Sequence, residues 1–513
     1  MSVKQLHFVV VGGGTAGWLA ALMLQDSAKR TGLPLKITVV ESSKIPVIGV
    51  GEGTTAVFRI LLKHLGFDEF EFIRETGATI KFGIRHKDWR RVGHTYDGPI
   101  DDPASVIERP QGASSSFLDI YSVAAGRSVT EPHLFAYLLD GHKSPYARKP
   151  DGGLIAAGPF HYAYHFDQAM VGKYLRKKSS GIAMVDAQVT GARKTSETGD
   201  IAALMLDDGS ELQGDFFFDC TGFRKRLIVH EMGAKWISYS KELPVNRAMP
   251  FWLDLKDGEE IAPYTLAWAQ KAGWLWSIPT QQRYGCGYVY SDNFLSPDEA
   301  QREIELSLGH AVHPRNDIRF EIGRLDNSWI GNCLALGLSS SFLEPLEATS
   351  IHGTIVQMMI FSQYHLKDTT RINDADRLAY NAAAARQLDD FRCFINLHYV
   401  SERRDTPFWN HVDSESILPE TRDRLAHWSR QMPRSDDFIR LPGNFPHVEE
   451  QLHYPVLDGL GLLDRNVAKR EMDAMPKARK IAHDSVESLR NEYQRAARQT
   501  LGHREFLTSM QTQ

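Results

Sequence analysis

Residues Leu6–Asp26 read LHFVVVGGGTAGWLAALMLQD, and the fold is decided here. LHFVVV is a short apolar run rich in β-branched residues, the pattern of a strand buried on both faces in a parallel sheet. It enters the spacing Gly12-x-Gly14-x-x-Gly17, and WLAALMLQD continues as a helix. Glycines at those positions permit a tight turn, let the backbone approach a pyrophosphate, and let the helix pack on the strand. The helix N-terminus attracts the anion. A second strand, LKITVV, ends at Glu41, placed to hydrogen-bond a ribose hydroxyl. A glycine fingerprint alone is a weak signal. Strand, fingerprint, helix, strand and terminal acid in that order predict a dinucleotide-binding domain, where a mere tight turn would not need the acid.

The chain has 513 residues, 42% of them hydrophobic and 24% charged, with a net charge of −5. This is the composition of a globular protein of two to four domains, or of one large cofactor enzyme. So small a net charge implies neither a nucleic-acid nor an anionic-membrane partner. No apolar run is long enough to span a bilayer. The first residues enter a strand with no secretory-signal pattern, which sets the expectation of a cytoplasmic protein. Four scattered cysteines (Cys220, Cys286, Cys333, Cys393) lack CxxC spacing, and the 20 histidines show no HExxH-type spacing. Neither a disulfide framework nor a metal site is expected.

The dinucleotide is expected to be FAD rather than NAD. The fingerprint stands at the N-terminus, as in hydroxylase-like FAD folds. Two later segments, GDFFFDCTGF (Gly214–Phe223) and NCLALGLSSSFLEPLEATSIHG (Asn332–Gly353), each read as a strand followed by a turn that can return to the cofactor. No second GxGxxG is present, so no separate nicotinamide domain is expected and the flavin would be reduced elsewhere.

GWLWSIPT (Gly273–Thr280) sets Trp274 and Trp276 two positions apart, hence on one face of a strand, with Pro279 closing the ladder. Alone this reads as hydrophobic core, or as a wall between two compartments. Together GGGTAGW, VIGVGEGTT (Val47–Thr55), the lysine in ATIKFGI (Ala78–Ile84), WLWSIP, SFLEPLEAT (Ser341–Thr349) and HYVSERRDTPFW (His398–Trp409) resemble the flavin-dependent tryptophan halogenase family. The likeness runs from Phe8 to about Trp409, and WxWxIP is its most specific tag.

What the resemblance implies is an α/β fold: a Rossmann-type, hydroxylase-like FAD domain with a mixed substrate-side sheet and an added helical C-terminal domain. It implies FADH2 delivered by a separate flavin reductase, oxygen, and a halide oxidised to hypohalous acid that travels by a tunnel to a small aromatic substrate. A flavin-dependent monooxygenase of the same fold is the alternative. The tryptophan pair would then be the wall, keeping oxygen chemistry at the flavin away from the substrate. Gly12, Gly14, Thr15, Ala16, Gly17, Glu41, Val189, Leu338 and Ile351 are the expected FAD contacts.

Thr79–Ile84 alternates as a strand, with Lys81 on the face opposite Ile80, Phe82 and Ile84. A solvent-exposed lysine is the plain reading; by resemblance Lys81 sits at the substrate end of the tunnel, directing the electrophilic halogen. By the same resemblance Glu347 is the catalytic acid–base group, and Glu344 supports the loop. Both could otherwise be charges at a helix N-terminus. Backbone N–H groups of Thr349 and Ser350 would bind halide. Here the family pattern FxxPxxSxG is broken: Ala348 replaces serine and Ser350 replaces glycine. A Cβ at Ser350 would disfavour any positive φ that glycine allows, which puts chloride preference in question.

The chain divides into an expected FAD and substrate-sheet domain, 1–365, and a helical domain, 366–513, that packs on it and covers the substrate. ADRLAYNAAAARQLDDFRCFI and KARKIAHDSVESLRNEYQRAARQ carry charges on one face and apolar residues on the other. Free-tryptophan members carry a Tyr- and Trp-rich clamp where this chain has FPHVEEQLHYPVLDGLGLLD (Phe445–Asp464), with one tyrosine, no tryptophan and an acidic pair. An indole-like substrate other than free tryptophan is therefore expected, and the oligomeric state is open between monomer and dimer.

Overall fold

The strand Leu6–Val11 occupies the middle of a six-stranded sheet, in a computed structural model that describes residues 5–45, 51–366 and 373–511. Leu35–Glu41 and Phe216–Asp219 flank it in parallel, with Phe8 opposite Ile37 on one side and Phe216 on the other. Ala183–Asp186 and Cys333–Ala335 extend the parallel set, and Trp329–Ile330 closes one edge antiparallel. Phe8, Val9 and Val10 are fully buried, as a strand covered on both faces requires. The helix Thr15–Thr31 covers one of those faces with Trp18, Leu19 and Leu22.

A second, seven-stranded sheet holds the tryptophan pair. Its order is Ile318–Arg319, Arg247–Asp254, Arg283–Tyr290, Gly273–Pro279, Tyr264–Ala269, Gly83–Lys87 and Thr95–Pro99. All neighbours are antiparallel except Tyr264–Ala269 with Gly83–Lys87, so this sheet is mixed, as expected. The strand Gly273–Pro279 ends at its proline. Trp276 lies opposite Gly287, where a Cβ would stand 2.1 Å from the indole ring; only glycine leaves room for it.

The expected run Thr79–Ile84 is two strands rather than one. Thr79–Lys81 joins a small sheet beside Ala163–Asp167, and Gly83–Lys87 joins the seven-stranded sheet. Phe82 lies between them, its N–H donating to the Pro263 carbonyl at 2.8 Å and its own carbonyl accepting from Ile100 at 3.0 Å. Both faces of the run are buried, so alternation could not separate an inner from an outer side.

Helices dominate after Asp374, beginning with Asp374–His398 and ending with Pro476–Gln499 and His503–Gln511. The tail then returns to the first half of the chain. Thr500–Gly502 pairs with Lys143–Arg148, and His503 Nε2 accepts from the Ile80 N–H at 3.0 Å while its Nδ1 lies 2.9 Å from the Ile261 carbonyl. Within the described residues no helix is long and apolar enough to cross a membrane.

Candidate active site

The nucleotide turn has the geometry its glycines require. Gly12 has φ +117°, and a Cβ there would meet the Cys220 carbonyl at 2.1 Å. A Cβ on Gly17 would stand 1.8 Å from the Gly12 carbonyl. Gly13, the unassigned residue of the motif, is equally constrained, because its Cβ would strike the Glu41 carboxylate at 1.6 Å. Gly14 differs: a Cβ there meets nothing within 4 Å, so the space above it is left for a ligand.

Thr15 begins the helix, is 3% exposed, and its hydroxyl has no hydrogen-bond partner. A buried orphan hydroxyl at a helix N-terminus beside an open glycine fits a pyrophosphate. Glu41 ends its strand as expected, with its carboxylate 2.6 Å from Arg176. Val189 is buried just beyond the strand Ala183–Asp186, whose last residue lies opposite Glu41. Gly337 has φ +60° and brings the turn Gly337–Ser339 against the Ala16 methyl, so Leu338 borders the same cradle. Ile351, 8% exposed, is in the first turn of the helix Thr349–Ile360.

The return turns are anchored by a residue that the sequence reading did not single out. Asp219 is fully buried, and its carboxylate accepts from Thr221 N and Oγ1, Leu227 N, Ile228 N and Ser339 Oγ at 2.6–3.1 Å. These bonds tie Phe216–Asp219 to Gly337–Ser339. The cradle thus fits FAD, which when bound in its reduced form supplies the electrons for oxygen-dependent oxidation of halide. Of the VIGVGEGTT motif, Val47–Val50 lie outside the described residues; Gly51–Gly53 is a short strand against Ala163–Asp167.

Gly14→Val therefore separates folding from cofactor binding. The new side chain has free space in the protein but fills the pyrophosphate's approach. We expect a normally folded variant that loses flavin on gel filtration, read from the flavin absorbance that co-elutes. Wild-type flavin retention would mean that the turn cradles something else.

The two sequence-predicted reactive groups are both near the junction of the sheets and the helical part. Lys81 is 3% exposed, and its Nζ donates to the Thr54 carbonyl at 3.1 Å. The amine also lies 3.2 Å from where a Cβ on Gly53 would stand. Burial pushes its pKa down to about 8, and the negative charge of Glu347 opposes that shift. Next to it His165, fully buried, is held by Thr265 at 2.9 Å and pushed well below its usual range by burial and by Lys81. Lys81 is thus a desolvated amine whose nearest partners are the Thr54 carbonyl and His165, with Glu347 the one charge acting on it.

Glu347 ends the short turn Pro345–Glu347, and its Oε1 lies 2.8 Å from His398 Nε2 and 3.7 Å from His86 Nε2. Burial would raise its pKa, but the two histidines outweigh that and hold it down at about 2. His398 Nδ1 lies 2.9 Å from the Phe394 carbonyl, which orients the ring with Nε2 toward the carboxylate. His86 stacks on Tyr96 at 4.6 Å and is pushed below its usual range by burial. Neither histidine was singled out from sequence. Among the described residues these three could hold a metal, their ligand atoms lying within 4.8 Å of one another. With His398 Nε2 2.8 Å and His86 Nε2 3.7 Å from Oε1, we assign the trio to holding the Glu347 carboxylate.

Glu344, three residues earlier, has the opposite environment. It is fully buried, and its Oε2 accepts from Trp274 Nε1 at 2.6 Å and Tyr399 Oη at 2.8 Å. Burial raises its pKa to about 7, outweighing the hydrogen bonds from Trp274 and Tyr399 and the nearby His398. One glutamate of FLEPLE is therefore a fixed carboxylate beside histidines, and the other pins a tryptophan. Trp274 and Trp276 do share a face, with ring centroids 6.4 Å apart, and Trp89 packs 6.2 Å from Trp274.

The family's altered halide positions are placed differently from expectation. Ser350 lies in the first turn of the helix Thr349–Ile360, where a Cβ is tolerated. The positive φ falls instead on Ala348, at φ 52° and ψ 37°. Thr349 is 5% exposed, Ser350 is exposed, and both line a small recess with Gly337, Ser341, Leu343 and Gly353.

Comparison with known proteins agrees with this geometry. Residues 7–467 match the family model for tryptophan halogenase. The chain is 33% identical to the tryptophan 6-halogenase SttH of Streptomyces toxytricini, over 95% of this chain and 97% of that protein. It is 32% identical to the tryptophan 7-halogenase RebH of Lentzea aerocolonigenes, over 93% of each. Among solved structures, Xcc4156, a flavin-dependent halogenase from Xanthomonas campestris, superposes with a TM-score of 0.84 at 31% identity, covering 99% of this chain and 98% of that one. The chain belongs to the tryptophan halogenase family and is a flavin-dependent halogenase, working with reduced FAD from a separate reductase, oxygen and halide on an aromatic substrate.

Proposed function

We propose that this enzyme halogenates an indole-like aromatic other than free tryptophan, with Lys81 directing the electrophilic halogen and Glu347 managing the proton, and that it incorporates bromide faster than chloride. The observation that carries the reading is the desolvated Lys81 amine, at about 8, on a site shared with a carboxylate held ionised by two histidines. A partly deprotonated amine can hydrogen-bond hypohalous acid or take the halogen itself. The Glu347 carboxylate is too weak a base to rest protonated at neutral pH. It acts as a fixed negative charge that polarises the electrophile and receives the ring proton.

Halide would bind at the N–H groups of Thr349 and Ser350, which open a helix and have no earlier turn to donate to. Trp274 and Trp276, fixed through Glu344 and Gly287, would separate the flavin from the substrate. The nine expected cofactor residues form the FAD cradle in this reading. Residues 1–365 would carry that cradle and the sheets, with 366–513 as the cover over the substrate side. We place the enzyme in the cytoplasm, where its four free cysteines stay reduced and flavin reductases operate.

Bromide is larger than chloride, more weakly hydrated and easier to oxidise. A recess altered at Ala348 and Ser350 would penalise chloride more, because chloride has less reactivity in reserve. The test supplies reductase, NADH, FAD and oxygen with equal chloride and bromide, offers indole and tryptophan in parallel, and reads products by mass spectrometry. We expect predominantly brominated indole. Mainly chlorinated tryptophan would overturn both preferences, and oxygenated product independent of halide would point to the monooxygenase alternative.

A further inference from the structure

A cavity of about 380 Å³ lies where the tryptophan clamp is missing, lined in part by Asp102, Ser116, Asp119, Phe438, His447 and Glu450. That volume is within the range of small-molecule sites. Its walls lead to both reactive groups. Phe438 packs 4.5 Å from His453, His453 4.5 Å from Phe394, and Phe394 5.0 Å from His398, the partner of Glu347. On the other side His447 packs 4.8 Å from Phe391, and Phe391 5.6 Å from His352, which lies 3.0 Å from the Thr55 hydroxyl. Thr54, the next residue back, accepts from Lys81.

The charges inside do not balance. Among the described residues, nothing hydrogen-bonds or ion-pairs with the Asp119 carboxylate, which lines the cavity. Glu450 faces the hydroxyls of Ser115 and Ser116, the latter 2% exposed, but none of these buried atoms completes a hydrogen bond of good geometry. The neighbouring cation His133 is already committed to Asp101 at 3.0 Å. Arg109 and Glu449 lie exposed at the rim, as does Arg440, which pairs with Asp436 at 3.7 Å. Burial raises the Asp119 carboxyl to about 7, with His133 opposing and Asp102, Glu450 and Asp458 adding to the rise; burial raises Glu450 too, against Ser115 and Ser116. Partly buried carboxyls clustered with no cation paired to them are costly, and a positively charged ligand reduces that cost.

We propose that this cavity seats the ammonium group of an aromatic alkylamine at Asp119 and Glu450, making the preferred substrate an indolic amine that carries no carboxylate. The proposal rests on reading the site as that of an aromatic halogenase. A carboxylate on the same side chain would meet Asp102, Asp119 and Glu450 within the cavity. The cations there, Arg109 and Arg440, are both solvent-exposed, where such a pair contributes little.

Tryptamine, tryptophan, indole-3-propionate and indole separate the charges. Their binding to the purified enzyme is measured by calorimetry, and kcat/KM for bromination is measured with the reductase system. We expect tryptamine to bind at least ~10-fold tighter than indole or indole-3-propionate, the scale of a hydrogen bond to a charged group, and to have the highest kcat/KM. Asp119→Asn and Glu450→Gln should each erase most of that preference by raising KM for tryptamine. Wild-type binding that ranks tryptophan or indole-3-propionate first, or folded variants that keep the preference, would overturn the proposal. A variant that does not fold shows itself by its Tm, and the wild-type ranking then decides. If wild type bound tryptamine tightly but brominated none of the four, the halogenase substrate reading would fail while the amine site stood.

Discussion

Lys81→Ala will abolish halogenated product, a loss of at least ~10³-fold on the scale of a positioned reactive group, while FAD binding stays at wild-type affinity. The proposed flavin cradle comprises Gly12–Gly17, Glu41 and the turn at Gly337, whereas the Lys81 amine donates to Thr54. Its strand joins the small sheet at Ala163–Asp167 instead. Loss of the amine leaves the Thr54 carbonyl without its donor, a cost of about 1 kcal/mol, which does not unfold a protein of this size. The titration of Lys81 gives a second readout. Its folded pKa of about 8 is below the usual 10.5, so the folded state binds fewer protons than the unfolded chain between those values. Stability contributed by this residue is therefore lowest below pH 8 and recovers as pH rises from 8 through 10.5. Lys81→Met, which keeps the volume, should flatten that rise in a Tm-versus-pH series. Product formation by either variant at a wild-type rate would remove Lys81 from the chemistry.

The parts of this site legible in the sequence are those set by local spacing. The glycine turn, its acid and the shared face of Trp274 and Trp276 follow from strand and turn geometry, which a few consecutive residues determine. Lys81 was legible as a site residue only through resemblance, since alternation in Thr79–Ile84 fails when two sheets bury both faces. His86, His398 and Asp219 were not legible. Each acts on a partner more than 50 residues away or through several backbone N–H groups, and neither relation leaves a periodic trace. The strained backbone was expected at Ser350 because the family has glycine there. The helix begins one residue before it, and the turn geometry falls on Ala348. Likewise the return of Thr500–His503 to Ile80 and Lys143 is a long-range pairing that amphipathic helices do not announce.

Glu347→Gln should slow halogenation by ~10²-fold or more in single turnover, the range for a positioned proton-transfer group, with flavin affinity unchanged. Glutamine nearly matches the shape of glutamate, so the turn Pro345–Glu347 and its packing survive, and what is lost is the charge. In the wild type that charge is secure: with a pKa of about 2, the carboxylate is ionised at neutral pH. It can take a proton from the attacked ring only transiently, with His398 Nε2, 2.8 Å away, positioned against it. The Phe394 carbonyl holds the far side of that ring, which keeps Nε2 aimed at the carboxylate. The same substitution acts on Lys81. Glu347 is the interaction that opposes desolvation there, so its removal should carry the amine still further below 8. The variant's residual rate should therefore respond to pH at a lower apparent pKa than wild type, a shift that a purely structural role for Glu347 would not produce. A rate within about threefold of wild type and an unshifted pH profile would withdraw both the proton role and its coupling to Lys81.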